Sequence, residues 1–132
     1  MSLKSKTVRR LGSVGAVAWM ALIFFLSSQE KLPTTAGMPP DIAAIAGHFV
    51  AYSVLAIFIR VAIGGLQPGR RADVIAIALA TLYGISDEFH QSFVPGRDSS
   101  VFDVAIDLLG ASAGVIALNL ILAVTQIRQD EQ

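Results

Sequence analysis

Residues 72–91 read ADVIAIALATLYGISDEFHQ, and where this run ends decides the fold. Its clean apolar part stops at Ser86, about five residues short of the roughly 20 that a helix needs to cross the hydrocarbon core of a bilayer. Counting about 20 residues from Ala72 reaches Gln91. Asp87, Glu88, Phe89, His90 and Gln91 are therefore read as the last turns of a membrane helix, close to the membrane boundary, and not as a free loop.

Three more apolar stretches flank this one. They cover residues 11–28, with Trp19 in the middle, residues 42–64, and residues 100–124, apolar from Val101. Between them lie Gln29–Asp41, Gly65–Arg71 and Val94–Ser100, marked by proline, glycine or charge. Composition agrees: 54% of the 132 residues are hydrophobic and 15% are charged, against about 25% charged in soluble domains. The reading is an all-α integral membrane fold, a single domain over residues 1–132, built as a bundle of four transmembrane helices in two hairpins. Zero net charge leaves no basic field for nucleic acid. The absence of cysteine removes disulfides, thiolate metal sites and thiol nucleophiles together.

Orientation follows from Lys and Arg in short loops. Lys4, Lys6, Arg9, Arg10, Arg60, Arg70, Arg71 and Arg128 fall on one side, Lys31 and Arg97 on the other. Both termini are expected in the cytoplasm, with Asp87–Ser100 facing outward from a bacterial cytoplasmic (inner) membrane. The first span has a basic flank, but its apolar run is long and no small-x-small site follows at once, so it reads as a retained anchor.

A charge inside a span costs at least about 2.5–3.5 kcal/mol on insertion scales, yet several polar groups sit at one depth here. At about 1.5 Å per residue, His48 lies about 9 Å and Asp107 about 10 Å below the outer ends of their spans. Asp103 is one turn above Asp107, and Asp87 one turn below Gln91. Ser27, Ser28 and Gln29 close the first span. His48 and Tyr52 share a face, as do Tyr83, Asp87 and Gln91, and as do Asp103, Asp107, Gly110 and Gly114. Such stripes face a bundle interior. His48, Asp87, Glu88, His90, Arg97 and Asp103 are expected to share one outward concavity.

Plainer roles stand beside these. Gly110 and Gly114 form a small-xxx-small packing seam. Ser99 or Ser100, with Asp103 at capping-box distance, could cap the fourth span. Asp73 beside Arg70 and Arg71 reads as a helix-start charge. Trp19 and Tyr52 read as packing residues with a bonded tip. Asp107 is too deep for a cap. Asp87, Glu88, Asp98, Asp103 and Asp107 outnumber Arg97, His48 and His90 as charges. Like charges in low dielectric cannot all stay ionised, so some acids are protonated, both histidines are charged, or a cation binds. Arg97 is expected to fold back from the Pro95-Gly96 turn and pair with Asp87, Glu88 or Asp103. The halves are also faintly alike: Pro33 and Pro95 follow the two span ends, Asp41 and Asp98 precede the next spans, and His48 answers Asp103 and Asp107. That pattern raises a parallel repeat about an axis along the membrane normal.

The run Tyr83-Gly84-Ile85-Ser86-Asp87-Glu88-Phe89-His90-Gln91-Ser92-Phe93-Val94-Pro95-Gly96-Arg97 resembles the VanZ-like family of small bacterial membrane proteins. The likeness continues through Ser100, Asp103, Asp107, Gly110 and Gly114. It includes Phe24-Phe25-Leu26-Ser27-Ser28-Gln29 and His48-x-x-x-Tyr52-x-x-Leu55. The resemblance implies a cell-envelope role at the outer membrane face, of the kind linked to resistance to teicoplanin, a lipid-tailed glycopeptide antibiotic. It supplies no reaction. The family commonly has asparagine where this chain has Asp107, which implies hydrogen bonding there and not an obligatory charge.

Three functions are compatible with these residues. The first is a non-enzymatic module that binds a lipid headgroup, a lipid-linked envelope precursor or a lipophilic glycopeptide antibiotic at the outer leaflet. Four short-looped helices leave little room for a channel, which favours it. The second is an intramembrane enzyme on a lipid-linked envelope substrate, with Glu88, His90, His48 and Asp103 as acid, base or ligands of a divalent metal and Arg97 on a phosphate. No HExxH pattern or serine–histidine–acid spacing supports it, and no cofactor is expected by default. The third is an ion-coupled carrier, assembled as a homo-oligomer, with Asp103 or Asp107 titrating.

Overall fold

A computed structural model of the chain describes residues 3–30 and 39–130. They form four helices: α1 (Leu3–Ser27), α2 (Pro40–Gly64), α3 (Arg70–Gln91) and α4 (Val101–Asp130). The sequence boundaries 11 and 124 mark where apolar residues begin and end, whereas backbone hydrogen bonds carry α1 and α4 further into polar sequence. Lys31 and Pro33 lie outside the described residues.

Local chemistry sets the ends. Pro40 starts α2, where its missing N–H would have had no helical partner. Gly65 stops it at φ 64°, with its N–H on the Val61 carbonyl at 2.8 Å. α3 runs to Gln91 as expected, so Asp87–Gln91 is helical. Tight turns through Phe93 and Val94 follow, and Gly96 at φ 77° reverses the chain, a conformation that a side chain would resist.

α2 is the centre of the bundle and touches all three other helices. Its Tyr52, Leu55, Ala56 and Ile59 pack with Ala76 and Ala80 of α3, Ala111 and Val115 of α4, and Ala16 and Ile23 of α1. Small residues let the helices approach. A Cβ on Gly110 would overlap the Phe49 carbonyl oxygen, and one on Gly114 the Ser53 carbonyl oxygen. Ser53 Oγ donates across this seam to the Gly110 carbonyl at 2.7 Å. The expected packing role of both glycines is therefore met. A two-fold repeat would make α1 meet α4 as α3 meets α2, but among the described residues α1 and α4 do not touch. The weak likeness of the halves thus does not extend to a symmetric packing.

Ser5–Ser27, Pro40–Gly64 and Val101–Gln129 are long and apolar enough to cross a membrane, with mean hydropathies of 1.6, 2.2 and 2.1. α3 is not among them; it carries Arg70, Arg71 and Asp73 at its start and Asp87 and Glu88 near its finish. Its last two acids are buried, and its exposed face carries Val74, Leu79, Leu82, Ile85 and Phe89.

Sequence patterning missed the polar lock at the end opposite Asp87. Arg60 is fully buried. Its Nε donates to Asp73 Oδ1, and its terminal nitrogens donate to the carbonyls of Gly65 at 3.2 Å and Gln67 at 2.5 Å. Asn119 of α4 donates to Asp73 Oδ2 at 3.0 Å. Asp73 is in the first turn of α3 as read, but its partner is Arg60 of α2 in addition to the helix start.

Candidate functional site

At the Asp87 end, three helices each contribute one group to a compact cluster. Asp107 of α4 is fully buried, and its Oδ1 accepts from His48 Nδ1 of α2 at 2.9 Å. Because a carboxylate accepts, Nδ1 carries the hydrogen, which leaves Nε2 facing Glu88 Oε1 of α3 at 3.9 Å. Gly84 of α3 makes room for this arrangement: a Cβ there would lie 2.5 Å from Asp107 Oδ2. His48, Glu88 and Asp107 offer ligand atoms within 4.8 Å of one another. Among the described residues they form the group that could hold a metal ion.

Gln91 organises the acids of its own helix. Its Nε2 donates to Asp87 Oδ2 at 2.9 Å and to Glu88 Oε1 at 3.4 Å. Glu88 Oε2 accepts the Ser100 N–H at 2.8 Å. Glu88 therefore caps α4 from a neighbouring helix, taking the donor that a capping box would have assigned to Asp103. Ser100 Oγ meanwhile accepts from the Phe102 N–H at 3.1 Å.

Two cavities meet here. One, of about 140 Å³, has walls of Ile23, Leu26, Ala43, Ala44, Gly47 and Ala51 and polar groups from Tyr52, Asp87 and Arg97. The other, of about 350 Å³, is acidic, lined by Asp41, Asp98 and Asp103. His48, Gln91 and Arg97 line both.

The structure corrects four expectations. His90 does not join Glu88. It pairs through Nε2 with Ser28 Oγ at 3.1 Å and stacks on Phe24 at a centroid distance of 4.5 Å. Residues two apart on a helix point to different sides, so Glu88 and His90 could not ligate one ion from a regular α3. Ser28 is thus on the α1–α3 seam, outside the cluster. Gln29 turns back to the Phe25 carbonyl at 2.9 Å. Arg97 makes no ion pair among the described residues. Gln91 holds Asp87 Oδ2 and the Ser100 N–H holds Glu88 Oε2, whereas Asp87 Oδ1 and Arg97 Nε each lie buried without a partner. The metal-capable set contains Asp107 in place of His90 and Asp103, which stands a turn higher at the rim of the larger cavity.

If Asp107 acts by accepting a hydrogen bond, Asp107→Asn keeps an acceptor for His48 Nδ1 and should cost no more than about 1 kcal/mol. Asp107→Ala leaves Nδ1 of the half-buried imidazole without its acceptor and should cost about 1–3 kcal/mol. Thermal unfolding in detergent distinguishes them, and equal losses for both would refute the acceptor role.

Fold and cluster define a small all-helical membrane protein with buried ionisable groups gathered at one end of the bundle. A sequence model of the VanZ/LLP1 family matches residues 13–122, and the chain belongs to the VanZ-like family. No curated protein and no solved structure gives a match.

Proposed function

We propose that this protein spans the bacterial cytoplasmic membrane four times with both termini inside, and that its Asp87 end binds a lipid-borne headgroup at the outer leaflet. The observation that carries this reading is the junction of the two cavities. An apolar-walled slot and an acidic vestibule meet at His48, Gln91 and Arg97, which suits a ligand with an acyl part and a polar part. A lipid-linked envelope precursor or a lipid-tailed glycopeptide such as teicoplanin has that character, in keeping with the family's envelope role.

The apolar outer stripe of α3, with its acids turned inward, supports the fourth span. Arg60 is buried and so no longer counts as a loop charge. Among the described residues, seven Lys and Arg still lie toward the Arg60 end against Arg97 toward the Asp87 end, which supports the orientation. Cysteine placed at Ser99 should react with an impermeant thiol reagent in intact cells, and cysteine at Arg70 should not. The reverse pattern would invert the topology.

A test of function is expression in a teicoplanin-sensitive host. Tolerance should rise, and His48→Ala or Asp87→Ala should abolish the rise in protein that still reaches the membrane. Unchanged tolerance in those variants would remove the site from the role. One observation favours an enzyme as the second reading. Asp107 holds His48 so that Nε2 faces Glu88, an arrangement able to move a proton. Turnover of a lipid-linked substrate by purified protein, lost in His48→Gln, would favour it.

A further inference from the structure

We infer that the smaller cavity receives the headgroup of an aminophospholipid, with its ammonium on Asp87 and Tyr52 and its phosphate on Arg97. This deepens the reading of a headgroup site at the Asp87 end and rests on it.

Three polar atoms at this cavity have no partner: Tyr52 OH, Asp87 Oδ1 and Arg97 Nε. Tyr52 is 1% exposed and Asp87 4%, and both line the cavity together with Arg97. Unpaired polar atoms in an apolar interior are costly, so each marks a hydrogen bond that a ligand would complete. Their needs differ in kind. A carboxylate oxygen requires a donor, Arg Nε requires an acceptor, and a tyrosine hydroxyl can serve as either. One zwitterion meets all three. An ammonium has three donors for Asp87 Oδ1 and Tyr52 OH, and a phosphate oxygen accepts from Arg97.

Charge gives the same answer. Asp87, Glu88, Asp103 and Asp107 stand in or beside the cavities, with Asp41 and Asp98 in the vestibule. Arg97 and His48 are the opposing groups. A purely anionic headgroup would add repulsion to this excess, whereas a cationic end relieves it. A choline headgroup carries the charge but no N–H to give to Asp87. The wall is also open where it should be. A Cβ on Gly47 would meet nothing within 4 Å, so the space beside Asp87 is bounded by a residue with no side chain. Ile23 and the half-exposed Leu26 of α1 continue the wall, an apolar path for the acyl chains.

The full chain in detergent can be titrated with dihexanoyl phosphatidylethanolamine, phosphatidylcholine and phosphatidylglycerol, followed by native mass spectrometry. The ethanolamine lipid should bind roughly ten-fold or more tighter than the other two, as befits one charged hydrogen bond. Asp87→Asn and Gly47→Leu should each weaken it by about ten-fold or more while melting close to wild type. Gly47→Leu acts by filling the cavity and leaves every polar group in place. Arg97→Gln should weaken the ethanolamine lipid but not hexylamine, which lacks the phosphate. Phosphoethanolamine without chains should bind more weakly than the lipid, and equal binding would move the site from lipid to free headgroup. If the three lipids bind alike and only Gly47→Leu matters, the amine assignment falls and the headgroup site stands. If no lipid binds and Gly47→Leu changes nothing, both fall. Binding of Zn²⁺ alone, with no discrimination among lipids, would overturn the assignment in favour of a metal centre at His48, Glu88 and Asp107.

Discussion

Arg60→Ala should lower the unfolding free energy by roughly 3–5 kcal/mol, the cost of removing one partner of a buried ion pair. Arg60 has no exposed surface, and it joins α2 to Asp73 of α3 and to the carbonyls of the α2–α3 turn. Truncation leaves Asp73 with Asn119 alone and orphans two carbonyls at once. The packing is equally specific, because a Cβ on Gly64 would run into the guanidinium. Arg60→Lys should recover only part of the loss, since an ammonium lacks the planar fork that reaches three acceptors. Arg60→Met with Asp73→Leu should be more stable than Arg60→Ala, because no buried charge is left without a partner. Thermal unfolding in detergent measures all four proteins. Arg97→Ala is the informative contrast. It was expected to break a buried pair, but Arg97 pairs with no described acid, so its loss should reach ligand binding and hardly touch stability. If Arg60→Ala melts like wild type, the lock at this end does not hold the two hairpins together.

Glycine substitutions on α4 and α2 should act with opposite signs. Gly114→Val places a Cβ on the backbone of Ser53, and Gly110→Val places one on the backbone of Phe49. Backbone cannot rotate aside as a side chain can, so α2 and α4 must separate. The Ser53 Oγ bond to Gly110 is lost with the close approach. Each substitution should cost about 1–3 kcal/mol from overpacking, or more if the seam opens along its length. Gly47→Ala meets open space on α2 and should instead stabilise by up to about 1 kcal/mol, the helix-propensity difference between the two residues. Similar losses at all three positions would mean that the glycines serve flexibility and not contact.

Much of the site was legible because helix periodicity and depth are properties of the sequence. His48 and Tyr52 on α2, Asp87 and Gln91 on α3, and Asp107 above Gly110 on α4 all lie where a count of turns puts them. His90 is the instructive miss. Its place in the Asp-Glu-x-His-Gln run suggested a shared site, yet two residues along a helix turn a side chain to another flank, and α1 rather than α2 receives it. That signal was available in the spacing. Arg97 and Asp103 were harder, because each competes for partners set by the loop. Glu88 took the Ser100 N–H from another helix, which no local pattern could announce.

Sequence alone determined the helical class, the apolar spans, the inclusion of Asp87–Gln91 in α3 and the seam at Gly110 and Gly114. Each rests on length, periodicity or the size of a side chain, which are local quantities. Tertiary structure alone decided that Arg60 locks onto Asp73, which Asn119 also holds, that Asp107 orients His48 toward Glu88, and that Tyr52, Asp87 and Arg97 keep unpaired atoms around one cavity. Those facts depend on how four helices rotate about their axes and which faces meet. In an apolar surround that choice is made by close packing and by the cost of leaving a buried polar group without a partner, and neither can be evaluated one helix at a time.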